Sequence, residues 1–180
     1  TSVLSHLPSF QSSHIIILGL DCAGKTTVLY RLQFNEFVST IPTKGFNMEK
    51  IKVTLGNSKT VTFYFWDVGG QEKLRPWWKS YTYGIMFVVD SVDIERMAEA
   101  KTELDKIMRI SENQGVPVLI VSSLSLSEID KLLSSSTPWC LQLICTIIGD
   151  GMKEGLEKLH DRSLKEEKCC DNRKRKKNDY

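Results

Sequence analysis

The chain alternates short apolar runs with segments of helical periodicity. Residues 14–18, 85–90, 116–121 and 143–148 are brief runs rich in Ile, Val and Leu, which are typical of buried strands. Between these runs, apolar residues recur at the spacing of one helix face. Because strands alternate with helices, the sequence predicts an α/β fold with a mostly parallel central sheet of about six strands.

Two further strands are predicted to form a hairpin. Residues 46–55 and 60–68 have the pattern of strands, and residues 56–59, with the sequence Gly-Asn-Ser-Lys, have the chemistry of a turn. A connection this short joins neighbouring antiparallel strands. The pattern therefore predicts one antiparallel edge strand on an otherwise parallel sheet.

Helices are predicted on both faces of this sheet. Residues 25–30 form a helical stretch after the first strand. The helix predicted over 93–110 has one buried face, made of Ile94, Met97, Leu104, Ile107 and Met108. Ser125, with Glu128 three residues later, resembles a capping box that opens a helix through Leu133. The last predicted helix has an apolar face of Met152, Leu156 and Leu159.

The composition is ordinary for one globular domain. The 180 residues are 41% apolar and 26% charged, and no apolar run is long enough to span a bilayer. Five scattered cysteines, odd in number and without metal-ligand spacing, predict a reduced, cytosolic chain. The first residues, Thr-Ser-Val-Leu, do not have the pattern of a secretory signal.

Positive charge is concentrated at the end of the chain. Residues 165–180 hold seven Lys or Arg and four Asp or Glu, whereas the whole chain has a net charge of +2. We divide the chain into an N-terminal segment (1–13), a folded domain (14–164) and a basic tail (165–180) that is either disordered or an extension of the last helix. The basic cluster 173–177 predicts contact with anionic lipid or nuclear import, with a merely solvated tail as the alternative. Direct nucleic-acid binding is not expected, because no aromatic residues are interleaved.

A glycine-rich motif lies between the first strand and the first helix. The sequence fits G-x-x-x-x-G-K-[ST] with Gly19, Leu20, Asp21, Cys22, Ala23, Gly24, Lys25 and Thr26. In such a loop, backbone N–H groups and the helix N-terminus point at a phosphate. The lysine contacts the β- and γ-phosphates, and the Thr26 hydroxyl binds Mg²⁺. A chance glycine-rich turn is the alternative. We include the next residue, Thr27, in the predicted nucleotide site.

A second motif, Trp-Asp-Val-Gly-Gly-Gln at 66–71, closes the strand predicted over 60–68. A carboxylate at a strand end, here Asp67, can reach Mg²⁺, usually through water. Gly70 can offer a backbone N–H to a γ-phosphate, and Gln71 is the candidate catalytic residue because a glutamine can orient the attacking water. The position after a hairpin that follows the phosphate loop strengthens this interpretation.

Together these motifs resemble the Arf branch of the Ras superfamily. The matching segments are Gly-Leu-Asp-Cys-Ala-Gly-Lys-Thr at 19–26, Pro-Thr-Lys-Gly-Phe-Asn at 42–47, Trp-Asp-Val-Gly-Gly-Gln at 66–71, Leu-Arg-Pro-Trp-Trp at 74–78, Phe-Val-Val-Asp-Ser at 87–91 and Gly-Asp-Gly at 149–151. The resemblance covers nearly the whole chain up to the tail, and the long hairpin and basic tail are most like the ADP-ribosylation-factor-like 4 subgroup. It implies a Ras-like P-loop fold and a small GTPase that binds GTP or GDP with Mg²⁺.

The resemblance also implies roles for single residues. Thr43 is similar to the threonine that joins Thr26 at Mg²⁺ only when the γ-phosphate is present. The aromatic triad that faces effectors is matched by Phe46, Trp66 and Tyr81, for which core packing is an equal alternative. Cys145 and Thr146 match the family's last base-contacting loop, which contacts the base through backbone N–H groups. A small buried cysteine explains Cys145 equally well.

The family implies a GTP/GDP switch in which the hairpin changes register and displaces an N-terminal segment toward a membrane. Leu4, Leu7 and Phe10 are either the remains of that segment or a packed strap. The implied partners are effector proteins, exchange factors and GTPase-activating proteins, with an anionic membrane surface contacted through the basic tail. The expected location is cytoplasmic and peripheral at membranes, with nuclear import through 173–177 as a further option.

One family element is missing after the strand predicted over 116–121. The family has Asn-Lys-x-Asp there, whose Asp accepts two hydrogen bonds from guanine, but here the sequence continues Ser-Ser-Leu at 122–124. Segments 81–84 and 132–134 are also shortened, and Asp130 is more typical of an exposed helix face than of a replacement carboxylate. Three explanations are open: an incomplete gene model, a decayed gene copy, or a protein that binds nucleotide without guanine selectivity. We predict a GTP/GDP switch, with a pseudo-GTPase scaffold that binds nucleotide poorly or non-selectively as the alternative.

Overall fold

The computed structural model contains a six-stranded sheet with helices on both faces. It describes residues 12–41, 43–56, 58–72, 84–109, 116–122, 139–143 and 151–178, with the backbone alone for 139–143 and 166–178. The strands are β1 Ser12–Leu18, β2 Phe46–Thr54, β3 Thr60–Val68, β4 Ile85–Val88, β5 Val118–Ser122 and β6 Trp139–Leu143. Their order across the sheet is β2-β3-β1-β4-β5-β6.

All neighbouring strands of this sheet run parallel except one pair. β1 lies between β3 and β4, β5 pairs with β4, and β6 pairs with β5. β2 pairs antiparallel with β3, with Phe46 opposite Val68 and Thr54 opposite Thr60. The predicted sheet, mostly parallel with one antiparallel edge strand, is confirmed.

The described helices are α1 Lys25–Phe34, α2 Met97–Arg109 and α3 Met152–Asn178. A 3-10 turn, Ile94–Arg96, runs directly into α2, and the carboxylate of Asp93 caps it by accepting the Arg96 backbone N–H at 3.3 Å. The backbone of α3 remains helical through most of the basic tail, to Asn178. Of the two alternatives for the tail, the structure has the helical extension.

Two apolar cores lie on opposite faces of the sheet, because successive strand residues point to opposite sides. The first core joins the hairpin to two helices through Phe63 and Phe65 of β3, Val28 and Leu29 of α1, and Leu156 and Leu159 of α3. The second core joins the central strands to α2 through Ile16, Leu18, Phe87, Leu104 and Ile107. β1 and β4 supply both cores, which explains why their sequences are continuously apolar.

One sequence prediction lies mostly outside the described residues, and another is wrong in detail. The last strand was predicted over 143–148; the last described strand runs from Trp139 to Leu143, and residues 144–148 lie outside the described residues. This strand pairs parallel with β5, with Val118 opposite Trp139. Ile94 was predicted to be buried, but it is 76% exposed, because it lies in the 3-10 turn, where α-helical spacing does not apply.

Several predictions fall outside the described residues. These are the helix over 125–133 and the N-terminal residues Leu4, Leu7 and Phe10. In the part of the chain that the structure describes, no helix is long and apolar enough to cross a membrane.

Candidate functional site

The glycine-rich loop connects the end of β1 to the start of α1. Gly19 has a φ of +146°, and a Cβ on it would lie 2.3 Å from the carbonyl oxygen of Val88 in β4. Only glycine allows the loop to approach the neighbouring strand this closely. Gly24, with a φ of +86°, is the left-handed residue before α1. The loop therefore lies at the carboxyl end of the parallel strands, where open α/β sheets bind ligands.

Lys25 places a buried positive charge in this loop. The residue is 6% exposed, and its Nζ donates to the carbonyl oxygen of Gly19 at 3.0 Å and to that of Leu20 at 2.7 Å. A buried ammonium group requires such partners. Because the charge is shielded from water, it attracts an anion in the adjoining space more strongly than an exposed lysine does.

Three side chains from separate segments meet beside Lys25. Thr26 Oγ1 donates to Asp67 Oδ2 at 2.6 Å and lies 2.8 Å from Thr43 Oγ1. Thr43 Oγ1 lies 3.3 Å from the same carboxylate oxygen. Asp67 is fully buried, and its other oxygen, Oδ1, has no hydrogen-bond partner in the described structure.

This threonine–aspartate cluster fits a magnesium ion. A buried carboxylate oxygen without a donor is unfavourable, and a cation would satisfy it. Hydroxyl and carboxylate oxygens are also the hard ligands that Mg²⁺ prefers. The two threonines and the aspartate that the sequence assigned to the metal site are therefore brought together with the right chemistry.

The end of β3 packs directly against the glycine-rich loop. A Cβ on Gly70 would lie 2.2 Å from the Leu20 carbonyl carbon, 2.3 Å from the Asp21 nitrogen and 2.4 Å from the Gly19 oxygen. The Gly69 N–H donates to the Gly45 carbonyl at 2.8 Å. The two motifs that carry the sequence prediction are thus in backbone contact, and both touch the segment before β2.

A cavity of about 250 Å³ lies over these groups. Its walls are Asp21, Cys22, Gly24, Lys25, Thr26, Thr27, Phe37, Ser39, Thr40, Ile41, Thr43, Gly69, Gly70 and Gln71. Five of the lining residues carry a hydroxyl group, Lys25 carries an ammonium group and Asp21 carries a carboxyl group, and Gln71 is exposed. A phosphate chain matches this combination of cation, hydroxyls and glycine backbone.

Most of the predicted nucleotide-site residues line this cavity, but Gly19, Leu20, Ala23 and Asp67 do not. The side chains of Leu20 and Ala23 pack against the two apolar cores, so these residues belong to the loop through their backbone. Cys22 has a φ of +61° and an exposed thiol. Three predicted residues lie outside the described residues: Tyr81, Cys145 and Thr146.

The two described members of the predicted effector-facing triad lie on one face of the hairpin. Phe46 is 69% exposed, and its ring centroid is 6.2 Å from that of Trp66. Trp66 is half-buried and packs against the second core. Met48, opposite Trp66 in the ladder, is 48% exposed. Core packing therefore accounts for the partial burial of the Trp66 side chain, but it does not account for the exposed side chain of Phe46.

Sequence analysis missed one residue that contacts the glycine-rich loop. Arg96, in the turn before α2, donates to the Asp21 carboxylate at 2.7 Å and to the Asp21 carbonyl at 3.4 Å. It also donates to Glu99 at 3.0 Å. The hydrogen bond to Asp21, followed by that to Glu99, raises the pKa of the Arg96 guanidinium. The contact with Asp21 spans 75 residues, so no local pattern in the sequence reveals it.

Comparison with known proteins identifies the family of the chain. The chain matches the ADP-ribosylation factor family over residues 1–163. It is 75% identical to ADP-ribosylation factor-like protein 4A of Homo sapiens, over 98% of this chain and 96% of that protein. It is 51% identical to ADP-ribosylation factor-like protein 4C of Homo sapiens, over 97% and 99%. The fold also matches the Arl6 BBS3 small GTPase from Trypanosoma brucei with bound GppNp, with a TM-score of 0.71 and 23% identity, over 87% of this chain and 99% of that chain.

The match to the human 4A protein also tests the prediction that this chain lacks segments found in the family. The match to the human 4A protein spans 191 residues, which is more than the 180 residues of this chain. That relative therefore has residues within the matched region that this chain lacks. Because the family match covers the chain up to the basic tail, and relatives of the factor-like 4 subgroup match nearly its full length, this protein belongs to the ADP-ribosylation factor family of small GTPases.

Proposed function

We propose that this Arf-family GTPase works as a GTP/GDP switch that recruits effector proteins at membranes. The observation that carries the proposal is the contact of Thr43 with Thr26 and Asp67, at 2.8 and 3.3 Å. Thr43 lies in the connection between α1 and β2, whose described residues are neither helix nor strand. Its position therefore depends on contacts at the site, and a ligand that adds or removes such contacts repositions the connection.

In this proposal the threonine–aspartate cluster holds the metal ion, and Lys25 contacts the phosphates. Thr26 and Thr43 would ligate Mg²⁺, and Asp67 would hold it directly or through water. When bound, the metal neutralises charge on the β- and γ-phosphates. Lys25 neutralises the same phosphates from the loop side. GTP differs from GDP by the γ-phosphate, so a Thr43 contact that requires this phosphate separates the two states.

Gln71 is proposed to orient the water that attacks the γ-phosphate. It lines the cavity next to Gly70, where the third phosphate is expected. Among the described residues that line the cavity there is no arginine. An arginine supplied by a partner raises the rate of GTP hydrolysis by about 10³–10⁵. We therefore propose that intrinsic hydrolysis is weak and that a GTPase-activating protein provides the missing charge.

The exposed hairpin face is the proposed effector surface. Phe46 and Met48 present large apolar side chains to solvent at 69% and 48% exposure, and exposed apolar patches mark interaction sites. Phe46 begins β2 only three residues after Thr43, so the patch and the nucleotide site share one segment of chain. Nucleotide exchange would therefore alter the surface that effectors and exchange factors contact.

The basic tail is proposed to provide the membrane contact. The cluster at 173–177 lies on the helical extension of α3, and each basic residue near an anionic surface contributes about 1 kcal/mol. The location that follows is cytoplasmic and peripheral at membranes, with nuclear import through the same cluster as the second option. Cosedimentation with phosphatidylserine vesicles tests this. Loss of binding after neutralising 173–177 supports the proposal, and unchanged binding contradicts it.

A second candidate function is a scaffold that binds nucleotide without guanine selectivity. The observation that favours it is the absence of Asn-Lys-x-Asp after β5, where the sequence reads Ser-Ser-Leu at 122–124. The Asp of that element pairs with the guanine edge, and a site built on such hydrogen bonds rejects a wrong partner by about 10⁴–10⁵. Phosphate and Mg²⁺ contacts do not involve the base, so they are retained.

Calorimetry with GTP, GDP and ATP separates the two candidates. We expect this chain to bind GTP weakly in the presence of Mg²⁺ and to prefer it over ATP only slightly. Inserting an Asn-Lys-x-Asp segment after Val121 should restore the preference. Tight GTP binding with strong rejection of ATP by the unaltered chain would mean that another carboxylate reads guanine. Absence of binding to all three nucleotides would contradict the switch itself.

A further inference from the structure

We propose that Arg96 is a positioning residue that holds the Asp21 carboxylate out of the phosphate cavity and so favours the triphosphate over the diphosphate. The inference rests on the proposed nucleotide site but assigns a role to a residue outside it. Arg96 does not line the cavity. It reaches the glycine-rich loop from the other side, through the 2.7 Å ion pair with Asp21.

Asp21 is the one acidic residue of the glycine-rich loop. It lines both the phosphate cavity and a smaller depression beyond the loop, which is also lined by Asp90, Asp93 and Arg96. A carboxylate in a loop that binds phosphate works against binding when it faces the ligand. Here the carboxylate is paired at 2.7 Å with Arg96, which lines the depression and does not line the phosphate cavity.

Without Arg96, the depression would be strongly acidic. Arg96 is the only basic residue among the described residues that line it. Its guanidinium also lies 3.9 Å from Asp93 and 3.0 Å from Glu99. Removing the cation would leave Asp21 facing like charges on this side, so repulsion would favour rotation of its carboxylate toward the phosphate cavity.

The position of Asp21 explains why the third phosphate would be most affected. The Asp21 nitrogen lies 2.3 Å from where a Cβ of Gly70 would be, so the two backbones touch. Gly70 is the residue expected to meet the γ-phosphate. A carboxylate released from Arg96 would therefore lie nearer the γ-phosphate than the rest of the ligand, and would weaken triphosphate binding more than diphosphate binding.

The test compares Arg96→Gln with Arg109→Gln. Arg109 is an exposed residue in the last turn of α2, so its substitution removes the same charge far from the loop. Affinities are measured by calorimetry in Mg²⁺ for a non-hydrolysable GTP analogue, GDP, tripolyphosphate and pyrophosphate. The last two probes respond to the phosphate site alone. We expect Arg96→Gln to weaken binding of the two triphosphates by about 5- to 150-fold, the usual range for coupled sites, with a smaller loss for the diphosphates and no change in Arg109→Gln.

Asp21→Asn in the Arg96→Gln background distinguishes positioning from general structural support. Because the loss of triphosphate affinity is attributed to the Asp21 carboxylate, the double variant, which lacks that carboxylate, should recover most of the affinity. Equal losses for triphosphate and diphosphate, without recovery in the double variant, would overturn the inference while leaving the proposed nucleotide site intact. No binding of any phosphate probe to the unaltered chain would overturn both.

Discussion

Gly70→Ala is the substitution whose effect the structure specifies most closely. A methyl group at this position would lie 2.2 to 2.4 Å from three backbone atoms of the glycine-rich loop. Backbone atoms cannot rotate away as a side chain can, so the loop and the end of β3 would have to separate. Gly70 does not have a positive φ, so the effect is steric rather than conformational.

The size of the effect follows from a comparison with Gly84→Ala. At Gly84 the nearest atoms lie 3.6 to 3.7 Å from the added methyl group, which is ordinary contact. Both substitutions restrict the unfolded chain and gain about 0.4–1 kcal/mol from that source, a contribution that cancels in the difference. Overpacking at Gly70 should then lower the free energy of unfolding by about 1–3 kcal/mol relative to Gly84→Ala. This corresponds to a Tm about 2–12 °C lower for a chain of this size.

Thermal unfolding of the two variants, followed by circular dichroism without nucleotide, measures this difference. Binding of a GTP analogue and GDP then tests the functional consequence: separation of Gly70 from the loop should weaken triphosphate binding more than diphosphate binding. Equal Tm values for the two variants, together with unchanged triphosphate affinity in Gly70→Ala, would refute the close approach on which the reasoning depends.

Three other substitutions test the cavity. Lys25→Ala should abolish triphosphate binding in a fluorescent-nucleotide titration, because it removes the buried cation of the loop; unchanged affinity would mean that the loop does not bind phosphate. Asp67→Asn should remove the dependence of nucleotide affinity on Mg²⁺, since the carboxylate is the only charged group of the threonine–aspartate cluster; a magnesium titration that matches the unaltered chain would contradict this. Intrinsic GTP hydrolysis should be slow and should fall further in Gln71→Leu, measured by phosphate release, whereas fast unassisted turnover would show that a catalytic charge is already present.

The sequence alone determined the elements that depend on local pattern. β2 and β3 were predicted to within one residue, because alternation and the turn at 56–59 are both local signals. The glycine-rich loop was identified because its function requires glycines and a lysine at fixed spacing between a strand and a helix. This spacing is visible directly in the sequence. The family followed from these motifs, and the match over residues 1–163 confirms it.

Only the tertiary structure decided which distant residues meet. The parallel ladder with β5 identifies Trp139–Leu143 as a strand, and the exposure of Phe46 depends on which elements pack over its face of the sheet. Asp67 Oδ1 was recognised as a buried oxygen without a donor only when its surroundings were known. The pairing of Arg96 with Asp21 is the clearest case, since an ion pair between residues 75 positions apart leaves no periodic trace in the sequence and exists only because β1, β4 and the turn before α2 converge at one end of the sheet.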